Sequence, residues 1–146
     1  MRSHDPQKPS QSRPSSEQRR PDPRHALGRL GEDLAATHLE RRGFAIVDRN
    51  ARTRYGEIDL IAFDGVVLAF VEVKTRRAST QSGRHLPAPL EGLRPRQRAR
   101  LRRLAAAWLA ERTSPLLARE LRFDAIGVVV DETGSVLRLD HVEGAW

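Results

Sequence analysis

Cysteine is absent from this chain, and lysine is nearly so. Without a thiol there is no disulfide, no thiolate nucleophile and no Cys-based zinc or iron–sulfur site, and the absence fits a cytoplasmic protein. Of the 26 basic residues, 24 are arginine and only Lys8 and Lys74 are lysine. Apolar side chains are missing from the first 24 positions, which hold five prolines, five serines and, as an apolar residue, only Met1. Such a stretch cannot bury enough surface to offset its ordering entropy, so residues 1–24 are expected to be disordered. That segment has no apolar run of the kind a signal peptide or membrane anchor needs, and no apolar helical face like that of a mitochondrial transit peptide.

What is present is one domain's worth of chain, residues 25–146, in a protein whose formal net charge of +7 is carried mostly by arginine. An excess of that sign points to an anionic partner, nucleic acid being the commonest, against the alternative of a generally basic surface. The distribution of the two lysines adds a second signal. Arginine and lysine are interchangeable as surface charge, but not where a compact ammonium that can lose a proton or direct a water is wanted. Lys74 alone among basic residues of the folded part keeps that group, within Val71-Glu72-Val73-Lys74.

Hydrophobic periodicity predicts an α/β domain. Arg24 to Arg42 reads as a helix, with Leu27, Leu30, Leu34, Ala35 and Leu39 at helical spacing and Gly43 at its end. Phe44 to Asp48 reads as a short strand. Glu57 to Phe63 and Val66 to Lys74 read as two strands joined by a hairpin turn at Asp64-Gly65. Thr75 to Leu93 is rich in Gly, Pro and Ser without a period, and reads as a long mobile loop. Pro95 suits the first turn of a second helix running to about Arg112 with Leu101, Leu104, Ala105 and Trp108 as its buried stripe. Leu121 to Val130 and Val136 to Val142 are two more strands around a turn at Asp131–Gly134. The order is α-β-β-β-α-β-β without internal repeats, and a mixed central sheet of about five strands flanked by helices is expected.

On that hairpin, side chains two apart share a face, so Glu57 and Asp59 point one way, as do Glu72 and Lys74. A two-residue turn at Asp64-Gly65 sets Phe63 opposite Val66 and Glu57 opposite Glu72, with Asp59 diagonal to Glu72. Three carboxylates and one ammonium on one face are costly without a counter-charge, which a hard divalent cation supplies. The competing arrangement has the acids on a solvent face, Glu72 paired loosely with Lys74, and Arg52, Arg54 and Arg76 neutralising the rest. Two helix residues bear on the choice. Gln97 lies on the apolar stripe one turn before Leu101, where either a ligand or a capping role accounts for it. Glu32 follows Gly28 and Gly31, whose spacing allows close packing against a sheet.

Taken in order, Gly28-x-x-Gly31-Glu32, Arg49-Asn50, Gly56-Glu57-Ile58-Asp59-Leu60-Ile61, Phe70-Val71-Glu72-Val73-Lys74-Thr75-Arg76, Gln97 and Arg122-Phe123-Asp124 resemble the YraN-type family of bacterial proteins. That family in turn resembles the PD-(D/E)XK endonuclease fold, including archaeal Holliday-junction resolvases. The resemblance covers about residues 25 to 146 and implies a restriction-endonuclease-like core. It implies a catalytic set of Glu32, Asp59, Glu72, Lys74 and Gln97. In that set Asp59 and Glu72 hold Mg2+ or Mn2+ with the Val73 carbonyl, Glu32 binds through a water or a second ion, and Lys74 orients the attacking water. Near Arg94 and Arg96 the family often carries lysine. At the end, His141 to Trp146 departs from the Asn and Phe usual there.

DNA contact is expected from Arg94, Arg96, Arg98, Arg100, Arg102 and Arg103 at the start of the second helix, and from Arg76, Arg77 and Arg84 in the mobile loop. Contacts of this kind position a duplex without reading its sequence. The expected function is a Mg- or Mn-dependent DNA endonuclease, structure-specific or weakly sequence-selective. Its partner is DNA, branched or single-stranded forms included, with no membrane, and resolvase-like enzymes add the homodimer as an oligomeric state to consider. The alternatives are a catalytically silent nuclease-like domain that binds nucleic acid or a protein, and a small adaptor whose arginines serve solubility.

Overall fold

A computed structural model describes residues 22–78, 88, 90 and 94–145. Its elements are α1 (Pro23–Arg41), β1 (Ala45–Thr53), β2 (Gly56–Phe63), β3 (Val67–Arg77), α2 (Pro95–Glu111), β4 (Glu120–Val130) and β5 (Val136–Val142). They build one five-stranded sheet in the order β1-β2-β3-β4-β5. Neighbours are antiparallel except β3 and β4, which run parallel through the crossover that carries α2. The expected order and mixed sheet are therefore observed. No helix among the described residues is long and apolar enough to cross a membrane.

The two helices cover opposite faces of the sheet, and each does so with the stripe its sequence carries. On one side Ala35, Ala36 and Leu39 of α1 pack with Leu60, Val71 and Ile126. On the other, Leu101, Leu104, Ala105 and Trp108 of α2 pack with Ile61, Leu68 and Phe70. Phe70 anchors this second core, edge-on to Trp108 at 5.8 Å and stacked on Phe123 at 5.7 Å. The Trp108 indole N–H donates to Asp48 Oδ2 at 3.1 Å, which fastens α2 to edge strand β1. Burying one such large side chain is worth roughly 1.5–3 kcal/mol.

Helix starts follow their cap chemistry. Asp22 accepts the Arg24 N–H at 3.0 Å, so α1 begins at Pro23 and takes in the last residues of the Pro/Ser-rich segment; positions 1–21 lie outside the described residues. Pro95 occupies the first turn of α2, where its missing N–H costs nothing. The long loop expected from Thr75 begins later, because Thr75–Arg77 continue β3 alongside Val128–Val130. Most of positions 79–93, Arg84 among them, lie outside the described residues. Strand β1 runs to Thr53, well past the expected Asp48, with a register irregularity between Ile46 and Asp48. Its polar run Asp48-Arg49-Asn50 hides the pattern of an edge strand exposed along much of its length.

The hairpin register differs from the sequence expectation by two residues. Asp64 N–H bonds to the Val67 carbonyl at 3.3 Å, so the two turn residues are Gly65 and Val66. Gly65 has φ of 99°, suited to the first central position of such a turn. Asp64 instead accepts the Val66 and Val67 N–H groups at 2.9 and 2.7 Å. The ladder accordingly pairs Phe63 with Leu68 and Leu60 with Val71, and Glu57 does not face Glu72. A slip of two preserves which face each side chain takes but changes its neighbour.

Of the two helix glycines, only Gly31 makes the expected close approach. A Cβ at Gly31 would overlap Thr75 Oγ1 and stand 2.7 Å from Thr75 Cβ, whereas one at Gly28 would meet nothing within 4 Å. Gly31→Ala should therefore lower stability by about 1–3 kcal/mol. Gly28→Ala should raise it by about 0.5–1 kcal/mol through helix propensity. Chemical denaturation of the two variants beside the parent checks the pair, and equal effects would refute the packing argument.

Candidate functional site

Asp59 stands where the β2–β3 ladder gives out. The last backbone pair there is Leu60 with Val71. One residue beyond, the Asp59 carboxylate itself accepts the Val73 N–H at 2.8 Å. Carrying the same register one step further brings Asp59 level with Glu72, not diagonal to it. Asn50, with φ of 48°, lies between the pairs Arg49–Leu60 and Ala51–Ile58, so it stands across β1 from Asp59. The regular pleat also breaks here: Ile58 packs with the α2-side core and Leu60 with the α1-side core, although they are two apart.

The electrostatics of this spot are those of crowded acids. Burial and the adjacent Glu72 carboxylate push the Asp59 carboxyl up to about 7, and Glu32 adds to the push. The Val73 N–H and the Lys74 ammonium pull the other way without cancelling it. Glu32 is itself raised by burial, opposed by a hydrogen bond with Asn50, with Glu57 and Asp33 raising it further. Lys74 Nζ lies 3.1 Å from Glu72 Oε1, and the carboxylate side chain is 13% exposed against 41% for the lysine. Glu57 turns to the edge, 3.9 Å from Arg52 Nε. The sheet and α1 thus bring Asp59, Glu72, Lys74 and Glu32 into one electrostatic neighbourhood. Among the described residues, no three His, Asp or Glu side chains are grouped closely enough to hold a metal ion as they stand.

The remaining predicted site residues are distributed differently. Gln97 Oε1 accepts the Arg94 backbone N–H at 3.3 Å, which satisfies a free donor at the α2 N-terminus. That bond accounts for a polar residue on the apolar stripe. Among the described residues Gln97 makes no hydrogen bond to Asp59, Glu72 or Lys74. Arg94, Arg96, Arg98, Arg100, Arg102 and Arg103 are all exposed. Arg76 and Arg77 lie at the end of β3 and not in a loop. Arg77 donates to the Asp131 and Glu132 carbonyls at 2.9 Å, so it also braces the β4–β5 turn.

One polar centre of the fold carried no role in the sequence reading. Asp124 on β4 is fully buried. It accepts two bonds from Arg122 at 2.8 and 2.9 Å, one from His141 Nε2 at 2.9 Å and one from the Gly144 N–H at 3.0 Å. Burial pushes this carboxyl up, but the His141, Arg122 and Gly144 bonds outweigh it and hold it below the usual carboxylate range. His141 Nδ1 meets His38 Nε2 of α1 at 3.0 Å. With Nε2–H given to Asp124, a neutral His141 offers Nδ1 as acceptor, so His38 donates there. Burial first, then His141 and Arg42, lower the His38 pKa. Arg122-Phe123-Asp124 was visible as a motif, but its partner His141 is distant in sequence.

Comparison with known proteins gives the family of this chain. The profile of the family described as "Uncharacterised protein family UPF0102" matches residues 31–128, which include Glu32, Asp59, Glu72, Lys74 and Gln97. A UPF0102 protein of Frankia casuarinae is 48% identical over 121 residues, covering 83% of this chain and 96% of its own. One of Acidothermus cellulolyticus is 42% identical over 84% of this chain and 95% of its own, and one of Pelotomaculum thermopropionicum 42% identical over 86% and 98%. The chain belongs to the UPF0102, or YraN-type, family.

The raised Asp59 fixes the sign of a pH effect. Below about pH 4 the carboxyl is protonated in folded and unfolded chains alike, and contributes nothing. Between there and about pH 7 the unfolded chain ionises while the folded site resists, so stability falls as pH rises. Above pH 7 the cost levels off, at no more than about 4 kcal/mol. Asp59→Asn keeps an oxygen for the Val73 N–H and removes the charge. It should raise the melting temperature at pH 8 by at least about 4 °C and change it little at pH 4. Equal shifts at both pH values would show that the carboxylate is not strained.

Proposed function

We propose that this protein is a divalent-metal-dependent endonuclease acting on DNA in the bacterial cytoplasm, structure-specific or weakly sequence-selective. The observation that carries the reading is the half-buried Asp59, raised to about 7 by burial, Glu72 and Glu32, beside the one lysine of the folded region. Crowded carboxylates of this kind have the donor chemistry for a hard cation, and Mg2+ or Mn2+ suits them. Asp59 and Glu72 would hold the ion with the Val73 carbonyl, and Glu32 would reach it through a water. When bound, such an ion lowers the pKa of a water and stabilises charge on a phosphate.

The protein's own groups supply the rest. The Val73 N–H fixes the Asp59 carboxylate against the end of the ladder, so the acid cannot swing away from Glu72. The Lys74 ammonium lies 3.1 Å from Glu72 and would orient a water or offset charge developing on the phosphate. The exposed arginines of α2 and Arg76 would hold the backbone of the nucleic acid, with a salt dependence that scales with the phosphates neutralised.

A second reading, a nuclease-like module that binds without cutting, is favoured by the lack of a three-carboxylate group among the described residues and by the capping bond of Gln97. Branched, nicked, single-stranded and duplex DNA incubated with Mg2+ or Mn2+ separates the two. Cleavage of at least one substrate is expected. Lys74→Ala and Asp59→Ala should each reduce it 100-fold or more while leaving binding within about threefold of the parent. If the variants cut as well as the parent the site is misassigned, and if nothing is cut while DNA is bound the binding module stands.

A further inference from the structure

One aromatic side chain of the described residues is neither buried nor packed into a core. Tyr55 is 46% exposed. It is the second residue of the two-residue β1–β2 turn, closed by the pair Thr53–Gly56. The Thr53 hydroxyl donates to the Gly56 carbonyl at 3.0 Å and accepts the Tyr55 N–H at 3.1 Å, so the ring projects from a braced turn. Gly56, with φ of 134°, leaves room on this turn for the Arg100 guanidinium, 3.1 Å from where a Cβ would stand. The Arg54 and Arg103 guanidinium carbons lie 4.7 and 5.8 Å from the Tyr55 ring centre. A half-exposed aromatic ring is therefore set among three cations, two from α2 and one from the turn itself. Glu57 and Asp59 follow two and four positions further along the chain, on β2.

We infer that Tyr55 is a stacking platform for an unpaired base, with Arg54, Arg100 and Arg103 holding the flanking phosphates, so that the preferred ligand is single-stranded nucleic acid or the unpaired part of a branched one. The inference deepens the proposed function by naming its substrate class. A surface made only to grip duplex needs guanidinium groups on phosphates and gains nothing from an exposed ring. A base with a free π-face gains from the ring, without sequence preference, and arginine beside it adds cation–π attraction. Arg54 and Arg103 lie over the ring and can exchange it for a phosphate when a strand arrives.

The test is binding by the full chain, in EDTA, to a labelled oligothymidine and to a labelled duplex of equal length, read by fluorescence anisotropy across a salt series. Tyr55→Ala should weaken oligothymidine binding about 5- to 100-fold and duplex binding less than about twofold, with the salt slope unchanged. Tyr55→Leu, which keeps apolar bulk without a ring, should lose as much, and Tyr55→Phe should retain binding. Arg54→Ala with Arg103→Ala should flatten the salt slope by about 0.7 per residue. Equal loss on both ligands, no loss on either, or a parent that binds duplex alone would overturn the platform. Because no metal is present, this result is independent of cleavage: ring-dependent binding without cutting refutes the nuclease reading only, and cutting without ring dependence refutes the platform only.

Discussion

The bond from the Val73 N–H to the Asp59 carboxylate decides how the rest of this site is built. At the end of the β2–β3 ladder a side-chain oxygen takes the place of a backbone carbonyl. An acid on an open surface relieves repulsion by swinging into water. Asp59 is tied to the neighbouring strand, level with Glu72, and has no such escape. Repulsion then remains as a raised pKa, which a bound cation can relieve. Helix α1 contributes by the same economy of space, since the missing side chain at Gly31 lets Thr75 of β3 come up against the helix and keeps the next residue, Glu32, beside the strands.

Asp59 and Asp124 show that burial alone does not set the behaviour of an aspartate. Both carboxyls are pushed up by desolvation. Asp124 receives a guanidinium, an imidazole N–H and a backbone N–H, and ends below the usual range. Asp59 receives one backbone N–H and two acidic neighbours, and ends far above it. The first is a structural anion with every lone pair engaged, holding β4, β5 and α1 together through His141 and His38. The second is left short of donors, which is the arrangement expected where a ligand must complete the site.

Much of this was legible in the residues. Helical spacing of leucines and alanines gave both helix stripes, and Asp131-Glu132-Thr133-Gly134 marked the β4–β5 turn that Asp131 indeed closes through Thr133 and Ser135. The solitary Lys74 near Glu72 is legible from composition and spacing, and their ion pair, with Arg52 near Glu57, is a feature that the competing arrangement expects. Asp64-Gly65 looks like a complete turn and so points to a register two residues off, while the backbone uses Gly65-Val66 and makes Asp64 an acceptor. Strand β1 was cut short because an edge strand tolerates charge that a buried one does not. Gln97 shows the limit of pattern reasoning, since a polar residue on an apolar stripe near a helix start is as well explained by a backbone donor as by a substrate. The Asp124 centre depends on His38 and His141, 103 positions apart, and no local pattern links them.

The parallel pairing of β3 with β4 carries a kinetic consequence. It joins residues 53 positions apart, Val67 with Glu120, across the whole α2 crossover, whereas the β1–β2 and β2–β3 contacts are made by adjacent hairpins. Loop closure of that length comes late, after local turns have formed in microseconds. Asp59, Glu72 and Lys74 all belong to the early meander, so the charge-bearing half of the site is drafted before the sheet is complete. Docking of β4 along the free edge of β3 then completes the sheet.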